Sequence, residues 1–264
     1  MKIISLVFDY DLKKVSDSGR SWGYDAYKNQ DFIFEYSAAS YATFLHHNPD
    51  LDYIIDTDSP DLLWKKLKIY DVSKNNLYIN NASEEIDEWK NHKYCFWPLA
   101  MHRKKYVQYG ESILKLDNDL VCLKPIDDLL NKDEILVWKR ERKINEGRET
   151  WGERYVCREV LGTENFEAYN TGVLGIPANN LSLIDRCIDV TEKMINIDTS
   201  EVIRYKEAPG QKFKMWVVSE QTAMNWAIHE SNSKVLECYE YFNHLCYGFN
   251  VKKEVIESAR YLIK

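Results

Sequence analysis

Three times in this chain two aspartates stand one residue apart at the end of an apolar run: Asp9-Tyr10-Asp11 in LVFDYDLK, Asp56-Thr57-Asp58 in YIIDTDSP, and Asp117-Asn118-Asp119 in ILKLDNDLVCLKP. Hard carboxylate oxygens at this spacing suit a divalent cation such as manganese or magnesium. Such an ion reaches a diphosphate through one or two protein carboxylates, and the phosphates fill the remaining positions. Context separates the three pairs. Ser59-Pro60-Asp61 follows the second pair and reads as a helix start, so Asp56 and Asp58 are expected to supply capping and N-terminal negative charge. The third pair lies between Ile113-Leu114 and Leu120-Val121-Cys122-Leu123. Unpaired acids are costly there, so a cation belongs beside them.

The elements that must position these residues alternate through the first half. Residues 2–8 read as a strand, and Asp31 opens a helix with Phe34, Ala38, Tyr41 and Leu45 at helical spacing. Strands follow at 53–55 and 77–79, a helix from Cys95 to Tyr109 that Gly110 ends, and a buried strand at 113–116. This alternation implies a largely parallel sheet with helices on its faces, where ligands bind beyond the carboxyl ends of the strands. All three aspartate pairs sit at such ends. After Pro125 the pattern becomes mixed, with strands expected at 135–138, 169–176, 215–218 and 235–241 and helices near 179–196 and 219–230. The stretch Lys139–Arg158 carries seven basic and four acidic residues. It reads as a solvated loop, or as a lid flanked by Trp138 and Trp151.

The chain is expected to form one α/β domain over residues 1–264. Its 264 residues are 45% hydrophobic with six prolines, which excludes disorder and low complexity. With 35 basic against 42 acidic residues the net charge is -7, the wrong sign for a nucleic-acid binder. The first apolar run is broken at once by Asp9 and Asp11, too soon for a signal peptide or a membrane span. No transmembrane segment is expected, while a peripheral membrane contact stays open. Cysteines at 95, 122, 157, 187, 238 and 246 lack the spacing of a zinc site. They read as free thiols in a reducing, cytoplasmic compartment.

The block Leu116-Asp117-Asn118-Asp119-Leu120-Val121-Cys122-Leu123-Lys124-Pro125-Ile126-Asp127 resembles the D-x-D block of glycosyltransferases with the GT-A fold. Upstream, Met101-His102-Arg103 through Tyr109-Gly110 resembles the helix and glycine that precede it, with Ala100 where the family carries an aspartate. Two later blocks are similar in type and order: Asn170-Thr171-Gly172, like the family's N-[ST]-G segment, and Glu220-Gln221-Thr222-Ala223-Met224-Asn225, like its [DE]-Q-x-x-x-N helix start. The resemblance spans roughly residues 95 to 230.

It implies a GT-A-like fold, with a Rossmann-like nucleotide-sugar half at 1–125 and a mixed acceptor or sugar half at 126–264. It also implies a metal-dependent transferase that moves a hexose or pentose from a UDP- or GDP-sugar to a glycan, glycoconjugate or other hydroxyl acceptor. Asp117 and Asp119 would hold Mn2+ or Mg2+, with His244 as a third ligand. Phe8, Asp9, Tyr10, Arg103, Asp117 and Asn118 would face the nucleotide. Asn170, Thr171 and Gly172 would line the sugar or acceptor side. Glu220 and Gln221, at a helix start capped by Ser219, would contact the sugar or assist the acceptor hydroxyl.

Two alternatives stay open. A relative of the same fold could bind a nucleotide sugar or glycan without turnover. Asp9-Tyr10-Asp11 also resembles the opening of haloacid-dehalogenase phosphatases, where the first aspartate is the nucleophile, although Leu12 and Lys13 replace the glycine and threonine favoured there.

Overall fold

The computed structural model describes residues 1–8, 30–72, 75–91, 97–146, 153–196, 212–244 and 249–263. Seven strands form the central sheet: β1 (Lys2–Val7), β2 (Tyr53–Thr57), β3 (Leu77–Asn81), β4 (Ile113–Leu116), β6 (Ile135–Lys143), β7 (Glu167–Ile176) and β8 (Val235–Glu237). Their order is β3-β2-β1-β4-β7-β6-β8. The first four run parallel, β7 lies antiparallel between β4 and β6, and β8 is parallel to β6. The parallel half and the mixed half anticipated from periodicity are therefore one continuous sheet.

Alternation along the strands sends side chains to two separate cores. Ile4 and Leu6 of β1, with Ile135 and Val137 of β6, face α3 (Ser83–Asn91), α4 (Trp97–Val107), α5 (Ser182–Asn196) and α6 (Lys212–Glu230). Ile3 and Val7, with Leu114, Leu116 and Val173, face α1 (Gln30–His47), α2 (Pro60–Leu67) and α7 (Phe249–Leu262). Phe34, Ala38, Tyr41 and Leu45 of α1 are all buried, as their spacing requires.

A second, two-stranded ribbon pairs β5 (Leu120–Cys122) antiparallel with β9 (Phe242–His244), Leu120 opposite His244. Polar side chains on α1 take up the free edge of β5. The Leu120 amide donates to Ser40 Oγ at 3.2 Å and the Cys122 amide to Thr43 Oγ1 at 2.9 Å. On the other side the Trp138 indole of β6 donates to the Phe242 carbonyl at 2.8 Å. The ribbon is thus clamped between helix and sheet.

Three expectations change. Residues 215–218 lie inside α6, not on a strand, because an apolar run this short has no periodicity of its own. The charged stretch after Trp138 is not a loop at its start: Lys139, Arg140, Arg142 and Lys143 continue β6 and pair with Asn170, Tyr169, Ala168 and Glu167. Solvated charges are compatible with a strand that has one face in water. Trp151 lies outside the described residues. The strand expected over 235–241 ends at Glu237, and the chain turns before β9.

Candidate metal and donor site

β4 ends at Leu116, and Asp117 continues its ladder by one bond, its amide donating to the Gly172 carbonyl of β7 at 2.8 Å. Asn118 and Asp119 then form the turn into β5. This break in strand geometry lets two aspartates that would otherwise share one face converge from different directions. Asp117 is partly exposed and Asp119 is buried.

β9 brings His244 against them from the far end of the chain. His244 Nε2 lies 3.0 Å from Asp119 Oδ1 and 3.6 Å from Asp117 Oδ2. Each of the three residues offers one ligand atom, all within 4.8 Å of one another. Adjacent ligands around an octahedral ion with bonds near 2.1 Å stand about 3 Å apart, so the spacing fits a divalent cation.

The imidazole is held by a chain of hydrogen bonds. Asn170 Nδ2 donates to Glu141 Oε1 at 3.1 Å, which turns the amide oxygen inward. That oxygen accepts from the Gly172 amide at 2.9 Å and lies 2.9 Å from His244 Nδ1. It can only accept, so Nδ1 donates to it and Nε2 is the ring nitrogen left facing the carboxylates. Locking the distal ring nitrogen in this way is the usual support for a metal-binding histidine. Trp138 packs edge-on against the same ring, with centroids 5.2 Å apart.

Gly172 explains the N-T-G segment. A Cβ built there would lie 2.6 Å from His244 Nδ1 and 2.8 Å from Nε2. The glycine is needed for close approach of the histidine ring, not for an unusual backbone angle. Thr171 is buried, and its amide meets Gln221 Oε1 at 3.5 Å. One turn on, Asn225 Nδ2 donates to the Tyr169 carbonyl at 3.1 Å. Gln221 and Asn225 thereby staple α6 to β7 beside the histidine. Glu220 and Gln221 are not at a capped helix start, since α6 begins at Lys212 and both lie well inside it. The serine and glutamate that signal an N-terminus occur here in mid-helix.

Phe8 is buried at the end of β1, while Asp9 and Tyr10 lie outside the described residues. Arg103 is buried on α4. Asn118 is half-buried in the turn.

The second aspartate pair is corrected. β2 runs through Asp56 to Thr57, Asp56 is fully buried, and Ser59 makes no side-chain cap to α2. Asp56 accepts instead from Asn80 Nδ2 at 3.0 Å, Tyr106 Oη at 2.9 Å and Lys105 Nζ at 3.2 Å, with His102 Nε2 at 3.1 Å. Burial alone would raise its pKa, but the hydrogen bonds and charge around it prevail and hold the carboxyl well below the usual carboxylate range. Burial lowers the pKa of His102, against the pull of Asp56, so the pair is an ionised aspartate and a neutral imidazole. This cluster pins α4 to the end of β2. Sequence reasoning missed it, together with Lys115 and Glu141. Lys115 was legible in principle, as a charge two residues before Asp117 within an apolar strand.

No family model and no curated protein matches the chain. Solved structures do. The bifunctional glycosyltransferase WbbM, in its apo form, superimposes with a TM-score of 0.52 at 8% identity over 99% of this chain and 44% of its own. The fold is GT-A-like. The apo-form glycosyltransferase GlyE of Streptococcus pneumoniae TIGR4 matches with a TM-score of 0.47 at 14% identity, covering 89% of this chain and 45% of its own. The galactosyltransferase LgtC, solved with donor and acceptor sugar analogs, matches with 0.46 at 9% identity over 100% and 95%. The chain spans less than half the length of WbbM and of GlyE.

Proposed function

We propose that this GT-A-like chain is a metal-dependent glycosyltransferase. It takes a sugar from a nucleoside diphosphate donor, of the UDP or GDP type, and passes it to a hydroxyl on a glycan or glycoconjugate. The observation that carries the reading is the convergence of Asp117, Asp119 and His244 at the carboxyl end of β4, where open α/β sheets bind ligands. Two carboxylates and one imidazole form a donor set better matched to Mn2+ than to Mg2+, which favours oxygen and water alone. When bound, the ion supplies positive charge to the departing diphosphate.

The chain's own residues do the rest. Asp119 from the turn, His244 from the ribbon and Asp117 from the end of β4 would hold the cation. Glu141 and Asn170 keep the imidazole aimed. Gly172 leaves room for it, and Gln221 fixes the neighbouring Thr171 backbone. Residues 1–125 are read as the nucleotide side, with Phe8 and Arg103 among its contacts, and residues 126–264 as the sugar and acceptor side. No described helix is long and apolar enough to cross a membrane. The four described cysteines, 122, 157, 187 and 238, are buried, and the protein is read as cytoplasmic.

The test is donor hydrolysis across UDP- and GDP-sugars with and without Mn2+. Release of nucleoside diphosphate should require the metal and fall more than about tenfold, or 1.4 kcal/mol, in both Asp117→Asn and Asp119→Asn. Metal-independent cleavage, or affinity for a donor with no product from any of them, refutes the transferase reading.

A further inference from the structure

Lys115 stands apart from the strand that carries it. Its neighbours Ile113, Leu114 and Leu116 are apolar and buried, yet Lys115 is itself only 2% exposed. A buried ammonium is costly unless it is paired. Here the partner is Asp117: Lys115 and Asp117, two positions apart, meet as Nζ donates to Oδ1. The other oxygen of the same carboxylate, Oδ2, faces His244 Nε2 at 3.6 Å. Asp117 is therefore divided between the Lys115 side chain and the ligand cluster.

We infer that Lys115 is a built-in counter-cation that makes divalent-metal binding conditional on an anionic phosphate ligand. The inference rests on the metal reading of the site. Asp117 and Asp119 contribute two negative charges, and Lys115 cancels one of them. An ion approaching the bare protein meets a donor set with half its formal charge and a like charge seated on one ligand. A nucleoside diphosphate brings its own negative oxygens and restores the attraction. Metal and nucleotide thus enter together, and a donor-free enzyme holds the ion weakly.

Lys115→Met keeps the length and the packing of the side chain and removes its charge. Mn2+ alone, titrated calorimetrically into the full chain, should bind the variant at least about tenfold tighter than the parent, the effect of one unit charge about 5 Å from a divalent ion at water-like screening. UDP should tighten Mn2+ binding by a smaller factor in the variant than in the parent. Lys115→Arg, which keeps the charge, should follow the parent. Should the methionine variant fail to fold, Lys115→Gln carries the same expectation. Unchanged or weaker Mn2+ binding by the uncharged variant, beside a parent that binds Mn2+ with UDP, overturns the inference alone. Absence of Mn2+ binding in every protein, with and without UDP, overturns it together with the metal reading.

Discussion

Replacing Gly172 by alanine tests the site through one atom. The backbone tolerates the change, because Gly172 lies within β7 and does not have a positive φ. The new Cβ, however, falls 2.6 Å from His244 Nδ1 and 2.8 Å from Nε2, whereas ordinary contact begins at 3.4 Å. The ring carbon Cε1 is nearer still, so the ring must retreat by roughly 1 Å, and metal–ligand distances tolerate only about 0.2 Å. His244 is then lost as a ligand, which should weaken Mn2+ binding in the presence of UDP at least about a hundredfold, or roughly 2.7 kcal/mol. Overpacking should also cost about 1–3 kcal/mol of stability. Gly175→Ala separates the two effects. Its Cβ would meet Leu136 side-chain atoms at 2.7 Å, away from the cluster, so it should destabilise the fold comparably and leave Mn2+ affinity unchanged. Calorimetric titration of Mn2+ beside thermal unfolding reads both quantities. If Gly172→Ala binds Mn2+ as tightly as the parent, His244 is not a ligand and the steric reasoning fails.

Glu141→Ala should release the Asn170 amide and weaken Mn2+ binding about tenfold, while Glu141→Gln, which keeps an acceptor for Asn170 Nδ2, should lose much less; equal losses would refute the hydrogen-bond chain. Asp56→Asn should destabilise the fold by about 3 kcal/mol, because it leaves His102, Lys105 and Tyr106 around a neutral group. Since Asp56 and His102 both have depressed folded pKa values, both contribute stability that is complete above their unfolded values, near 3.9 and 6.5. Urea denaturation should therefore show stability falling as pH drops below about 6.5 and again below about 4. The lower step should vanish in Asp56→Asn, and its persistence would show that another carboxylate carries it. His229→Ala, whose ring stacks on Phe166 away from the site, should leave Mn2+ binding intact.

The sequence by itself determined the parallel half of the sheet and the helix from residue 31, and it singled out Asp117-Asn118-Asp119 as the candidate pair. Apolar period and turn chemistry are local properties, and an acidic pair between two apolar runs announces an uncompensated charge. Family likeness added Asn170, Gly172 and His244, but not the reason they belong together. Tertiary structure decided that. Asp119 and His244 lie 125 positions apart and meet only because β5 and β9 pair as a ribbon. Gly172 is required only because that ribbon lays an imidazole over β7. Where local signals competed with packing, packing won. Ser219-Glu220 has the composition of a helix start but occurs inside α6, and Asp56 precedes a helix yet turns into the core. A residue's chemistry is written in its side chain, but its partners depend on which distant strand or helix the fold sets beside it.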